Sequence, residues 1–171
     1  MGKEIAKDIA IVVVVVLAVT FFIKPIVVKK TSMLPTLQEN NYLLIYKQAY
    51  RFGSPKRGDI VVFPVKTDEG KELFIKRVIG LPGDRIDIKD GQVYVNNKKQ
   101  DQSYTEDGYT TGEVKDYTVK KGHLYVMGDN RVVSIDSRYP SVGTPKIKDI
   151  TGKVILRLWP FSEFGTIKAG K

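Results

Sequence analysis

Two residues in this chain could carry hydrolytic chemistry: Ser32, in Thr31-Ser32-Met33-Leu34-Pro35-Thr36-Leu37, and Lys76, in Leu73-Phe74-Ile75-Lys76-Arg77-Val78-Ile79. A serine hydroxyl attacks a carbonyl when a neighbouring base takes its proton, and a neutral lysine can be that base without any histidine. A model lysine titrates near ~10.4, so a solvated one is charged at neutral pH. Residues 73–79 read as a strand, in which side chains alternate faces. Phe74, Lys76 and Val78 then share one face, and Leu73, Ile75, Arg77 and Ile79 the other. Burial among apolar neighbours disfavours the ammonium and makes Lys76 a candidate base. On these residues alone other readings stay open. Ser32 could be an ordinary turn residue, Lys76 could snorkel or pair with a carboxylate such as Asp136, and His123 could serve a Ser-His-Asp triad.

Composition narrows the chemistry. The chain has no cysteine, which excludes disulfides, thiolate metal sites and a cysteine nucleophile. Its one histidine excludes most multi-histidine metal sites, and neither metal nor cofactor is expected. The formal charge of +9 suits an anionic membrane surface or a nucleic acid. The lysines and arginines are scattered, with no aromatic-basic signature, so no nucleic-acid partner is expected.

The elements that must position these residues begin with an apolar run over residues 9–23, extended by Pro25-Ile26-Val27-Val28. Cleaved signal, uncleaved anchor and buried strand compete. The length and the lack of alternation argue against a strand, and Thr20-Phe21-Phe22-Ile23-Lys24-Pro25 offers no small-x-small cleavage site. An uncleaved transmembrane helix follows, reaching the ~20 residues a span needs if it runs to Val28. Lys3 and Lys7 precede it and Lys24, Lys29 and Lys30 follow, a count that leans slightly against an outward-facing body. Beyond it, strand signals recur at 42–46, 59–63, 73–79, 85–88, 92–95, 123–127 and 150–158, separated by turn residues, with a hairpin at Lys89-Asp90-Gly91. Residues 96–120 are polar and read as a small insertion. The expected fold is mainly β: one N-terminal transmembrane helix (1–29) and a body of packed or partly closed sheets (30–171), interrupted at 96–120 by a small subdomain or a mobile excursion.

Four segments then stand in order: Ser32-Met33-Leu34-Pro35-Thr36-Leu37, Arg57-Gly58-Asp59-Ile60-Val61-Val62-Phe63, Lys76-Arg77-Val78-Ile79-Gly80-Leu81-Pro82-Gly83-Asp84, and Gly128-Asp129-Asn130-Arg131-Val132-Val133-Ser134-Ile135-Asp136-Ser137-Arg138. Together, behind an apolar segment, they resemble the successive boxes of bacterial type I signal peptidase, in its Gram-positive form. The resemblance implies a membrane-anchored serine endopeptidase that removes signal peptides from exported preproteins after small-x-small sites. It implies Ser32 as nucleophile, with its backbone N–H at the oxyanion, and Lys76 as general base. It places Ser134 to orient the lysine amine, and Asp136 and Arg138 in support, with Arg77 as an ion-pair partner for Asp136. It implies an antiparallel β-sheet catalytic body with a small cap inserted at 96–120, gives His123 no catalytic role, and puts the body on the extracytoplasmic side with a cytoplasmic stub before the helix, against the lysine count. One position departs from the pattern: two residues before the nucleophile, where many members have a serine or small residue, stands Lys30, whose ammonium could face an oxyanion or solvent. Two other readings are a self-cleaving serine-lysine repressor, which would carry a DNA-binding domain in place of the apolar segment, and a catalytically silent anchored binding module, which would have lost Ser32 or Lys76.

Overall fold

Residues 2–167 are described by the structure, a computed structural model; Met1 and the last four residues of the expected body, 168–171, lie outside them. Helix α1 (Gly2–Phe22) is apolar on every side from Ile9 onward, and its side chains are exposed along its length. At about 1.5 Å per residue it is close to ~30 Å long, enough by length and composition to cross a bilayer.

The helix does not run on to Val28. At Ile23 the chain becomes strand β1 (Ile23–Val27), antiparallel to β2 (Tyr42–Tyr46), with Ile23 opposite Tyr46 and Val27 opposite Tyr42. The expected extension of the span through Pro25-Ile26-Val27-Val28 is therefore corrected. Pro25 removes a helical donor, whereas on a strand at the sheet edge its missing N–H costs nothing, and the β-branched residues after it suit a pleated surface.

Beyond β2 come β3 (Ile60–Thr67), β4 (Gly70–Gly80), β5 (Arg85–Lys89), β6 (Gln92–Val95), β7 (Lys98–Lys99), β8 (Val114–Thr118), β9 (Tyr125–Met127) and β10 (Gly152–Trp159). One sheet runs β1-β2-β10-β3-β4-β9 and a second runs β7-β6-β5-β8, antiparallel throughout. The hairpin at Asp90-Gly91 forms as its sequence requires, both residues at positive φ (51° and 72°). The insertion is larger than residues 96–120: β5 and β6 pair into the second sheet, so that lobe opens at Arg85 rather than at Asn96.

Both faces of β3 are buried. Ile60 and Val62 join Leu43, Ile45, Met33 and Leu37 in one apolar cluster. Val61, Phe63 and Val65 join Val78, Leu124 and Val126 in another. A third, with Ile79, Ile86, Ile88 and Met127, fixes the second sheet to the end of β4. β4 is thus clamped from several sides, and it carries Lys76.

Candidate active site

After β1 the chain closes a single 3-10 turn, Thr31–Met33, with Leu34 N–H donating to Thr31 O at 3.1 Å. Met33 and Leu37 are buried in the first apolar cluster and peg the turn down, leaving Ser32 half-buried above them. Asn130 N–H donates to Ser32 O at 3.1 Å, tying the Ser32 turn to the Gly128–Arg131 turn. Gly128 is required there: a Cβ on it would lie 2.4 Å from Ser32 O and 2.3 Å from Ser134 Oγ. As the second residue of a 3-10 turn, Ser32 has a backbone N–H unused by the turn.

Lys76 lies opposite Val61 across β3 and β4 and is only 3% exposed. Its Nζ is 2.7 Å from Ser32 Oγ, and among the described residues that hydroxyl is its only hydrogen-bond partner. The face expected from strand alternation holds for Phe74, whose ring centroid is 5.3 Å from Nζ. Lys76 is not paired with Asp136. Burial pushes its amine down from 10.5 to about 8; Asp136 opposes the shift, Arg138 and Lys30 add to it, and Asp129 opposes it. With such a value about one amine in ten is neutral at pH 7.

The ion pair expected between Arg77 and Asp136 does not form. Arg77, 1% exposed, makes a two-pronged bond to Asp129: Nε to Oδ1 at 2.8 Å and Nη2 to Oδ2 at 2.6 Å. Thr36 Oγ1 donates to the same carboxylate at 2.5 Å, and Arg77 Nη1 donates to Gly58 O at 3.1 Å. One step along a strand reverses the face, so Arg77 is aimed away from the Lys76 side. Asp136 instead holds Arg138, through Nε to Oδ1 and Nη2 to Oδ2, both at 2.9 Å. It also accepts Gly128 N–H at 3.0 Å and the Ser134 hydroxyl at 2.7 Å. Ser134 therefore spends its proton on Asp136, and no hydrogen bond joins it to Lys76 in this structure.

Lys30 is turned to Glu72. Its Nζ lies 2.5 Å from Glu72 Oε2, with 64% of the side chain exposed, and 5.4 Å from the Phe74 ring centroid. The ammonium is thus committed to a carboxylate. His123 Nδ1 lies 3.0 Å from Lys121 O, and the residue bridges Lys146; it makes no bond to Ser32 or Lys76.

Several contributors were not anticipated. Thr36, Asp129 and Arg131 lie inside the quoted segments, but nothing local showed their partners. Arg131 Nε donates to Gly128 O at 3.0 Å, its Nη1 to Gln102 Oε1 at 2.6 Å and to Thr110, and its Nη2 to Tyr104 at 3.0 Å. The second lobe is thereby bonded directly to the turn that holds Ser32 O. Glu72, four residues before Lys76 on β4, gave no signal beyond its charge.

The chain as a whole is similar to known proteins. The chain matches the family model described as signal peptidase, peptidase S26, over residues 3–159. It is 43% identical over 176 residues to a signal peptidase I of Bacillus caldolyticus, covering 95% of this chain and 93% of the relative. It is 37% identical over 185 residues to a signal peptidase IB of Staphylococcus aureus (strain COL), covering 96% and 94% of the two chains. Among solved structures, a signal peptidase I of Enterococcus faecalis V583 superposes with a TM-score of 0.50 at 29% identity, over 58% of this chain and 96% of that one.

Proposed function

The chain belongs to the signal peptidase family, a family of serine endopeptidases that remove signal peptides, and we propose that it cuts through the Ser32–Lys76 pair. The observation that carries this reading is the 2.7 Å contact between Ser32 Oγ and a buried lysine amine that has no carboxylate partner among the described residues. In the neutral state of Lys76 the Ser32 hydroxyl donates to Nζ. As Oγ attacks the scissile carbonyl carbon, the proton passes to Nζ. The oxyanion forms against the Ser32 backbone N–H, and the Lys76 ammonium then protonates the departing amine as the C–N bond breaks. Water attacks the resulting ester with Lys76 again as base, releasing the new carboxyl end and restoring Ser32.

The other residues hold this pair in place. Asp136, fixed by Arg138, anchors Gly128 and Ser134 beside the nucleophile turn. Its charge is spent on Arg138, so it supports the site without capturing the lysine. Lys30 supplies no second oxyanion donor in its observed pose. Removing such a donor commonly costs ~2.7–4 kcal/mol of transition-state stabilisation, so any second donor must come from elsewhere in the substrate-bound cleft.

Substrates on this reading are preproteins with a small residue before the cut and another two positions earlier. Helix α1 is the anchor in the lipid bilayer, with the β body on the extracytoplasmic side. The test is direct. The full chain in a non-ionic detergent is incubated with a preprotein, and the new amino terminus is sequenced. Cleavage after a small-x-small site, absent with Ser32→Ala, supports the reading. Equal cleavage of peptides with Ala or Phe before the cut contradicts the specificity. Retained extracytoplasmic protease protection of the body in intact cells contradicts the orientation.

A further inference from the structure

Lys30 and Lys76 share one aromatic ring: Phe74 has the first ammonium 5.4 Å and the second 5.3 Å from its centroid. Lys30 is extended (φ −134°, ψ 156°) and stands two residues before Ser32, at the entrance to the 3-10 turn. Glu72, Phe74 and Lys76 alternate onto one face of β4. The two segments therefore meet in three layers: the Lys30–Glu72 ion pair, then the Phe74 ring, then the Ser32–Lys76 contact. Glu72 is steadied by Thr67 Oγ1 at 3.4 Å.

We infer that Glu72 is a positioning residue for the Ser32–Lys76 pair: by capturing Lys30 it sets how much uncompensated charge stands beside the base. The inference rests on the dyad reading above and deepens it.

The charged groups around the amine leave this pair as the adjustable one. From the 128–138 segment, Asp136, Arg138 and Asp129 act on the Lys76 amine, but both carboxylates are fully buried and already bonded to an arginine, Asp136 to Arg138 and Asp129 to Arg77. From the nucleophile side only Lys30 brings a charge, and along β4 itself only Glu72 balances it. Lys30 adds to the downward push on the Lys76 amine, while the Glu72 carboxyl is itself held below the usual range by the Lys30 ammonium. The pair is open to solvent, so its own binding energy is small. Its sign is what reaches the base. With both residues present the net charge of the outer layer is zero. Without Lys30 it is negative and favours the Lys76 ammonium. Without Glu72 it is positive and favours the free amine.

The experiment is a pH–rate profile of kcat/KM for the full chain in non-ionic detergent, using a peptide with no titrating side chains near the cut. Lys30→Gln should move the acid limb to higher pH by ~0.3–0.7 unit and Glu72→Gln should move it to lower pH by a similar amount, from the Coulomb energy of one charge at this range in a wet setting. The Lys30→Gln/Glu72→Gln double variant should return to the parent profile. In 1 M salt, where the screening length falls to ~3 Å, the differences should collapse. A merely structural role for Glu72 would lower activity without moving the limbs in opposite directions. Superimposed limbs, shifts of one sign, or a double variant that fails to cancel would overturn the inference. Lys76→Ala is run alongside: substantial turnover by that variant overturns the dyad itself, whereas an inactive Lys76→Ala with superimposed limbs overturns only the role of Glu72.

Discussion

Lys76 and Arg77 are neighbours on one strand, buried almost equally at 3% and 1% exposure, yet the two faces of β4 treat their cations in opposite ways. Arg77 meets a carboxylate with matching geometry, plus a hydroxyl and a carbonyl. Lys76 meets a hydroxyl and an aromatic ring. Burial with a counter-ion yields a fixed charge that braces the fold. Burial without one yields an amine near its neutral form, which lysine tolerates and arginine does not. The same strand thus supplies a strut on one side and, on the proposed reading, a base on the other.

The widest separation between the faces should be in activity. Ser32→Ala and Lys76→Ala should each lower kcat/KM at least ~10³-fold while thermal unfolding stays within a few degrees of the parent. His123→Ala should keep most activity. Substantial turnover by Lys76→Ala, purified free of host enzyme, would erase the distinction, and a loss in His123→Ala as deep as in Ser32→Ala would transfer the base to histidine. On the other face the large effect should be in stability. Arg77→Met or Asp129→Leu leaves the partner charge buried and alone, at a cost of ~3–5 kcal/mol in denaturant unfolding, and the double substitution should recover part of that loss. Additive losses would mean that the pair is not the unit its geometry describes.

The pH dependence of stability sharpens the contrast further. The Lys76 amine titrates near 10.5 when unfolded and about 8 when folded. Between these values the unfolded chain binds the extra proton, so stability rises with pH across that window. Below it the burial penalty is fully present; above it the penalty is gone. Lys76→Met should therefore be more stable than the parent near neutrality, on the order of 3 kcal/mol, with the gap closing toward pH 10.5. A constant gap, read by urea unfolding at several pH values, would mean an unshifted lysine. The smallest effect concerns the ring. Phe74→Gln should rehydrate the amine and move the acid limb of kcat/KM up by less than about one unit, because burial is the main influence on Lys76. A downward shift would mean that loss of the ring's attraction for the ammonium outweighs hydration.

Much of this was legible from residue order. Ser32 and Lys76 were singled out by residue type, by the alternation around Lys76 and by the four ordered segments; the all-β body followed from short runs between turn residues, and its antiparallel pairing from the resemblance of those segments to a known family. The pairing of charges was not legible. Asp129 and Asp136 lie seven residues apart in one segment, and which of them faces Arg77 depends on how the Gly128–Arg131 turn docks against the nucleophile turn, a long-range contact with no local period. The end of the helix was misjudged for a different reason: hydropathy is blind to the change from helix to edge strand, while Pro25 and the branched residues behind it carried the signal. The second lobe was under-measured because β5 and β6 look like any hairpin until their partner, β8, arrives some twenty residues later.

No linker separates α1 from the sheet. Phe22 ends the helix and Ile23 begins β1; Lys47 N–H donates to Phe22 O at 2.8 Å, Lys47 Nζ donates to Thr20 O at 2.9 Å, and the Phe22 and Tyr46 rings stack. The helix end and the first hairpin are therefore one hydrogen-bonded piece. Four residues lie between the last residue of β1 and Ser32, so Ser32 stands close above the helix end, like a blade on a short post. With α1 in a bilayer, such a post converts the search for a cleavage site from three dimensions to two. A leader held in the same membrane presents its cut at one depth, and enzyme and substrate need only drift together in the plane. Reach, as much as pocket shape, would then decide which bonds are cut.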